Sequence, residues 1–301
     1  MDNDNSYIRF DWAIKRILRD KANFEVLEGL MTVLIGKTIK ISNIIESESN
    51  QDSREDKYNR VDVKATTSDD ETIIVEVQLS REFNFMPRIL FGASKAITEH
   101  ISIGKDYENI KKVYSINIVY FDLGKGNDYA YHGYTTFVGI NDKTSVLQFN
   151  NSKEERYIRK AGKRFVTPDE VFPEYFLLRV NQFNDVAKTK IEEWMDYLKN
   201  GHIKEDTTTP GLQAARQKLN YMRMTHEERQ AYDDYMISVH AAQDVYQTAI
   251  AEGEAKGIAI GEAKGRAEAH IEVARNLKAM GLPVADIAKA TGLTSEEICQ
   301  L

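Results

Sequence analysis

A single cysteine, Cys299, stands in a chain of 301 residues. One thiol excludes an internal disulfide framework and a cysteine zinc cage. Histidine is sparse too: six are scattered, His100, His132 and His270 among them, and no pair has H-x-x-x-H spacing, so a zinc site is not expected. Long apolar runs are missing. Residues 116–121 form one of the longest, far too short to cross a bilayer, and no membrane partner is expected. The start, MDNDNSYIRF, lacks a basic segment followed by an apolar one, so no secretory signal is visible. A reducing cytoplasm is the expected compartment. No glycine-rich phosphate loop of the Walker type is present; Gly92, Gly124 and Gly126 are isolated, and nucleotide hydrolysis has no support. The net charge of −7 argues against a general nucleic-acid coat. It leaves room for a metal site, whose carboxylates add negative charge of their own.

What is present is ordinary for a folded chain: 42% apolar and 29% charged residues, at a length that suits about two domains. Apolar periodicity predicts helices over 8–21 and 23–36, the second carrying Phe24, Leu27, Leu30, Met31, Leu34 and Ile35 on one stripe. Residues 46–60 are polar and read as a loop. Strands follow over 61–66 and 72–79, joined by turn-forming residues 67–71. Pro87 suits a helix start, and that helix is expected to run to about residue 103, before Gly104. Further strands are predicted over 112–121, 131–140, 144–150 and 175–180, with Asn141-Asp142 as a hairpin turn. A helix over 185–200 carries Ala187, Ile191, Trp194, Met195 and Leu198 on one face and stops at Gly201. Residues 202–210 read as a linker. Thr225 and Glu228 form a capping-box pattern that opens a long helix. The tail from Gly281 reads as two short helices around Thr291-Gly292. Three parts result: a mixed α/β domain over 1–201, a long helical region over 202–280, and a small helical tail over 281–301.

The chemistry concentrates in the two strands at 61–66 and 72–79. Val61, Val63 and Ala65 share one face of the first, with Asp62 and Lys64 on the other. Ile73, Val75, Val77 and Leu79 share one face of the second, with Ile74, Glu76 and Gln78 opposite. Pairing centred on Asp69 sets Asp62 across from Glu76. Side chains so opposed have Cβ atoms about 5 Å apart, within reach of one cation. Mg²⁺ takes oxygen ligands and usually keeps several waters beside one or two carboxylates. Such an ion acidifies water and neutralises charge on a phosphodiester. The same alternation also fits a sheet with one solvated side.

Several stretches carry a resemblance. They are Phe10-Asp11-Trp12-Ala13-Ile14-Lys15, Asn23–Leu27, Lys57 ahead of Val61-Asp62-Val63, and Ile74-Val75-Glu76-Val77-Gln78. Phe85–Leu90, Glu193–Lys199 and Ile287–Leu293 continue the series in order along nearly the whole chain. Together they resemble the PD-(D/E)XK nuclease superfamily, specifically its recombination-promoting nuclease (Rpn) and transposase branch. The resemblance implies a restriction-endonuclease-like core, a mixed sheet flanked by helices, here with an all-α C-terminal extension. It implies a DNA endonuclease that uses Mg²⁺ or Mn²⁺, with a role in recombination or in processing mobile or foreign DNA. Asp62 and Glu76 take the places of the two metal-binding acids. Gln78 stands where the wider superfamily has lysine; an amide orients water but brings no positive charge. Lys64, or Arg88 from the next helix, is then expected to supply that charge. Glu28 is the candidate helper acid from the first helices, in preference to Glu25; the alternative is a solvated helix-edge glutamate. A catalytically weak nuclease fold that binds DNA or a protein partner is the second reading.

Two features remain. Residues 153–164 (KEERYIRKAGKR) are the most basic run, and Arg156, Arg159, Lys160, Lys163 and Arg164 suit contact with a DNA backbone, with Tyr157 available to stack. Glu154 and Glu155 in the same run also fit a solvated face. Gly253, Gly257, Gly261 and Gly265 recur every four residues in the long helix, each costing about 1 kcal/mol relative to alanine. Close approach of a second helix, and so a homo-oligomer, would compensate; a frayed linker helix is the alternative. The acidic last helix (SEEICQ) suits packing or a partner more than DNA.

Overall fold

The computed structural model describes residues 7–16, 18, 20–45, 62–99, 110–147 and 168–301. These divide into two compact units, one through Arg229 and one from Gln230 onward.

The first unit is built on a six-stranded mixed sheet. Helices α1 (Phe10–Arg16) and α2 (Phe24–Ile35) precede strands β1 (Ile41–Ile45), β2 (Val63–Thr67) and β3 (Thr72–Gln78). Helix α3 (Phe85–Glu99) crosses to β4 (Val113–Val119). Then come β5 (Ala130–Gly133), a short helix α4 (Pro168–Val171), β6 (Glu174–Arg179), α5 (Lys190–Asn200) and α6 (Leu212–Lys218). The strand order is β1-β2-β3-β4-β6-β5. The first three strands are antiparallel, β3, β4 and β6 run parallel, and β5 closes the edge antiparallel to β6. This is the expected mixed sheet flanked by helices.

The central strands explain why the sequence folds this way. Every residue of β4, and all of β3 but Gln78, is buried, as both faces are covered by helices. On one face α3 lies across the parallel strands: Ala93 and Ala96 pack on Ile74 and Val113, and Phe85 and Ile89 on Val119 and Phe121. On the other, Tyr120 donates its hydroxyl to Leu198 O of α5 at 2.8 Å. Phe10, Trp194 and Tyr197 meet edge to face at 6.0–6.3 Å, and the Tyr197 hydroxyl donates to Ile8 O. Each such aromatic pair adds about 1 kcal/mol beyond the area it covers.

The β2–β3 hairpin has the expected register. Val63 pairs with Val75 and Thr66 with Thr72. Its turn is fixed by Thr67, whose Oγ1 accepts from the Asp69 and Glu71 N–H groups, while Asp70 takes a left-handed φ of 63°. Aspartate tolerates that conformation better than most residues.

Some expectations need correction. The strand predicted over 131–140 is only the four-residue β5, and of the strand predicted over 144–150 the described residues, 144–147, hold one isolated bridge, Val138 to Val146, around an Asp142 turn. The reason lies in β6: β5 pairs with Tyr175–Leu178, and Glu174 is where β6 begins, so the edge strand runs out of partner. The helix predicted from 185 starts at Lys190, where Thr189 and Glu192 form a capping box. Residues 202–229 pack with the first unit. Leu212, Ala215 and Leu219 are fully buried, and Trp194 Nε1 donates to Pro210 O.

Helix α7 (His226–Ala279) opens on the expected Thr225–Glu228 capping box. In the second unit its end packs with α8 (Val284–Thr291) and α9 (Ser295–Gln300) around Ala274, Ile287 and Ile298. Lys278 donates to the Ile298 and Cys299 carbonyls, satisfying the end of α9.

Candidate functional site

The hairpin carries the candidate site. Asp62 stands one residue before β2, and extending the ladder from Val63–Val75 sets it across from Glu76. Its Oδ2 accepts the Val77 N–H at 2.6 Å, which fixes the carboxylate against β3. Oδ1 faces the ammonium of Lys15, on α1, at 3.5 Å.

Glu76 is only 4% exposed. It lies on the face covered by α3, beside Asn117, its partner on β4. The Arg88 guanidinium forms an ion pair with Glu76 Oε1. Arg88 also donates to both oxygens of Glu82, at 2.7 and 2.8 Å, and Gln78 donates its amide to Glu82 Oε1 at 2.8 Å. Burial pushes the Glu76 carboxyl up to about 7; Arg88 pulls it back, and the charges of Asp62 and Glu82 add to the rise. Burial opposes the Arg88 charge, yet Glu82, Glu76 and Asp62 outweigh it and hold that group above its ordinary value.

The candidate residues thus separate. Asp62, Glu76, Gln78 and Arg88 come together. Lys64 shares their face of the sheet but forms an ion pair with Glu99, at the other end of α3. Glu28 is buried elsewhere: its carboxylate accepts from Ile41 N–H and from the Lys40 ammonium, both at 2.8 Å, and so caps the start of β1. Arg156, Arg159, Lys160, Lys163 and Arg164 lie outside the described residues. Sequence reasoning gave no role to Glu82 and Lys15. Glu82 has no periodic signal, being in the loop before α3. Lys15 belongs to the first quoted stretch, but only the fold brings it to Asp62.

A divalent ion fits this donor set in one way. Among the described residues no cluster of three histidine, cysteine, aspartate or glutamate side chains could hold a metal. Two carboxylates at facing positions of the hairpin, one of them buried, suit a hard cation that keeps most of its water. They do not suit zinc.

The family model for PD-(D/E)XK nuclease family transposases matches residues 8–158. The chain belongs to this family. The match takes in α1, the β2–β3 hairpin, α3 and β4, and with them Lys15, Asp62, Glu76, Gln78 and Arg88. Membership in the PD-(D/E)XK nuclease family transposases supports a nuclease-like function, and such nucleases typically use divalent metals. Comparison with curated proteins and with solved structures finds no match. No helix among the described residues is long and apolar enough to cross a membrane.

Proposed function

We propose that the protein is a metal-dependent DNA endonuclease that hydrolyses phosphodiester bonds in the cytoplasm, during recombination or the processing of mobile or foreign DNA. Asp62 and Glu76 hold Mg²⁺ or Mn²⁺, and Gln78 orients water. When bound, the ion supplies Lewis acidity and an acidified water. The protein's part is to fix Asp62 through the Val77 N–H and to hold Glu76 in a dry setting beside it. The observation that carries this reading is the pairing of a carboxylate anchored on the β3 backbone with a buried one at the facing strand position. Nicking of supercoiled plasmid in Mg²⁺, abolished by chelation, tests it. Asp62→Ala and Glu76→Ala are expected to slow nicking by about a hundredfold or more. Unchanged rates in both would end the proposal.

A second reading has its own support. Arg88 covers Glu76, and Gln78 is tied to Glu82 where the wider superfamily has lysine. A chain that retains labelled DNA in Mg²⁺ without cutting it would favour a binding module. In either case the basic run 153–164 contacts phosphates, and charge removal at Arg159 and Lys160 would flatten the salt dependence of binding. The long helix serves self-association: an added Cβ at Gly253, Gly257, Gly261 or Gly265 would meet nothing within 4 Å, so its backbone is open to close approach. Light scattering on the full chain and on a Gly257→Leu/Gly261→Leu variant reads this out.

A further inference from the structure

The cations around the hairpin have different fates. Lys64 is buried and paired with Glu99. Arg88 is held between Glu76 and Glu82. Lys15 extends from α1 with 46% of its side chain exposed and its ammonium 3.5 Å from Asp62 Oδ1. The helix beneath it is firmly seated. Phe10 to Ile14 are all buried, and Asp11 accepts from the Trp12 N–H and the Arg9 guanidinium. Lys15 therefore presents a solvent-facing positive charge, from a fixed base, next to the carboxylate that the β3 backbone anchors.

We propose that Lys15 is the catalytic cation of this site, binding a non-bridging oxygen of the scissile phosphate and so filling the role that Gln78 cannot. The inference rests on the nuclease reading above. A phosphodiester brings a negative charge toward Asp62, Glu76 and Glu82, and a cation open to solvent beside them lowers the electrostatic cost of that approach. An ammonium on a flexible stem offers three donors, enough to reach both a phosphate oxygen and Asp62. In the hydrolysis, the oxygen of water bonds to phosphorus and one ester P–O bond breaks. One water proton ends on the departing oxygen, and the hydroxyl stays on the phosphate. Lys15 keeps its protons throughout and offsets the charge that gathers on the non-bridging oxygens.

The test uses the full chain and two readouts, plasmid nicking in Mg²⁺ and equilibrium Mn²⁺ binding. Lys15→Ala is expected to slow nicking by about a hundredfold, with Lys15→Arg recovering a large part. Mn²⁺ binding should tighten by roughly two- to fivefold in Lys15→Ala, since an ammonium no longer competes at Asp62. A lysine that only braces α1 against the hairpin would instead lower thermal stability and leave both readouts at native values. A nicking loss under about tenfold in folded Lys15→Ala overturns the proposal, since one lost charge-stabilising donor ordinarily costs more. If that variant does not fold, Lys15→Gln, which keeps a polar, slightly shorter side chain without the charge, is judged by the same limits. If the native chain cuts no DNA, the nuclease reading fails by itself. Mn²⁺ binding then decides the placement of Lys15, and unchanged affinity rejects it.

Discussion

Glu76 is a carboxyl placed where water cannot hydrate its charge, and the consequence is measurable without substrate. Its folded value of about 7 lies above the ordinary carboxylate range. In metal-free protein the native state therefore binds this proton more tightly than the unfolded chain does. The stability so gained is complete below the unfolded value, about 4.3, and is lost as pH rises through about 7. At about 1.4 kcal/mol per pH unit, the loss is on the order of 4 kcal/mol. Glu76→Gln should remove it: in chelator at pH 8 the variant is expected to melt above the native protein, with the difference closing near pH 4.5. Thermal unfolding across that range checks this, and parallel curves would refute it. The pairing of Asp62 with Glu76 was legible in the sequence, because strand alternation and a turn centred on Asp69 leave little freedom in register. The Arg88–Glu82 tie and the Lys15 contact were not. Neither follows from periodicity; both depend on how a helix is laid against the hairpin.

At the scale of elements, α2 and the turn before α6 meet backbone to backbone. A Cβ on Gly29 would fall 2.2 Å from Gly211 Cα, and Gly211 itself holds a φ of 82°. Gly29→Ala gains about 1 kcal/mol of helix propensity. The clash should outweigh this by roughly 2 kcal/mol or more, since core overpacking commonly costs 1–3 kcal/mol and here the obstacle is backbone. Urea unfolding of the full chain measures the net sign. Other elements show where pattern reading stops. Strand β1 was not named from sequence: a register shift between Ile41 and Asn43 breaks its alternation, and the pairing partner that makes it a strand is β2, more than twenty residues later. The helix at 190–200 was anticipated because Trp194, Met195 and Leu198 recur on one face, yet its true start depended on the Thr189 cap. Thr189→Ala is expected to cost about 1 kcal/mol by the same measurement.

For the whole molecule, the first compact unit extends through Arg229, well past the Gly201 stop. Residues 202–210 are polar and read as a linker, but Thr207 and Thr209 are buried and both donate to Glu193 Oε2. A polar composition conceals such packing because the hydroxyls are satisfied internally. A chain ended at residue 201 loses the buried Leu212, Ala215 and Leu219 and is expected to unfold without a cooperative transition. One ended at residue 229 keeps it. Circular dichroism melts of the two chains distinguish these outcomes.

Tyr7 bridges to Asn220, the Ile8 N–H donates to Leu219 O at 2.9 Å, and the Tyr197 hydroxyl returns to Ile8 O. The segment that leads into α1 is thus locked by residues made some two hundred positions later. On the ribosome, where amino-terminal segments emerge first, this closure waits until Asn220 has left the exit tunnel. Under the proposed nuclease function, a chain assembled in that order stays unfinished for most of its own synthesis, and a prematurely released fragment would leave host DNA intact.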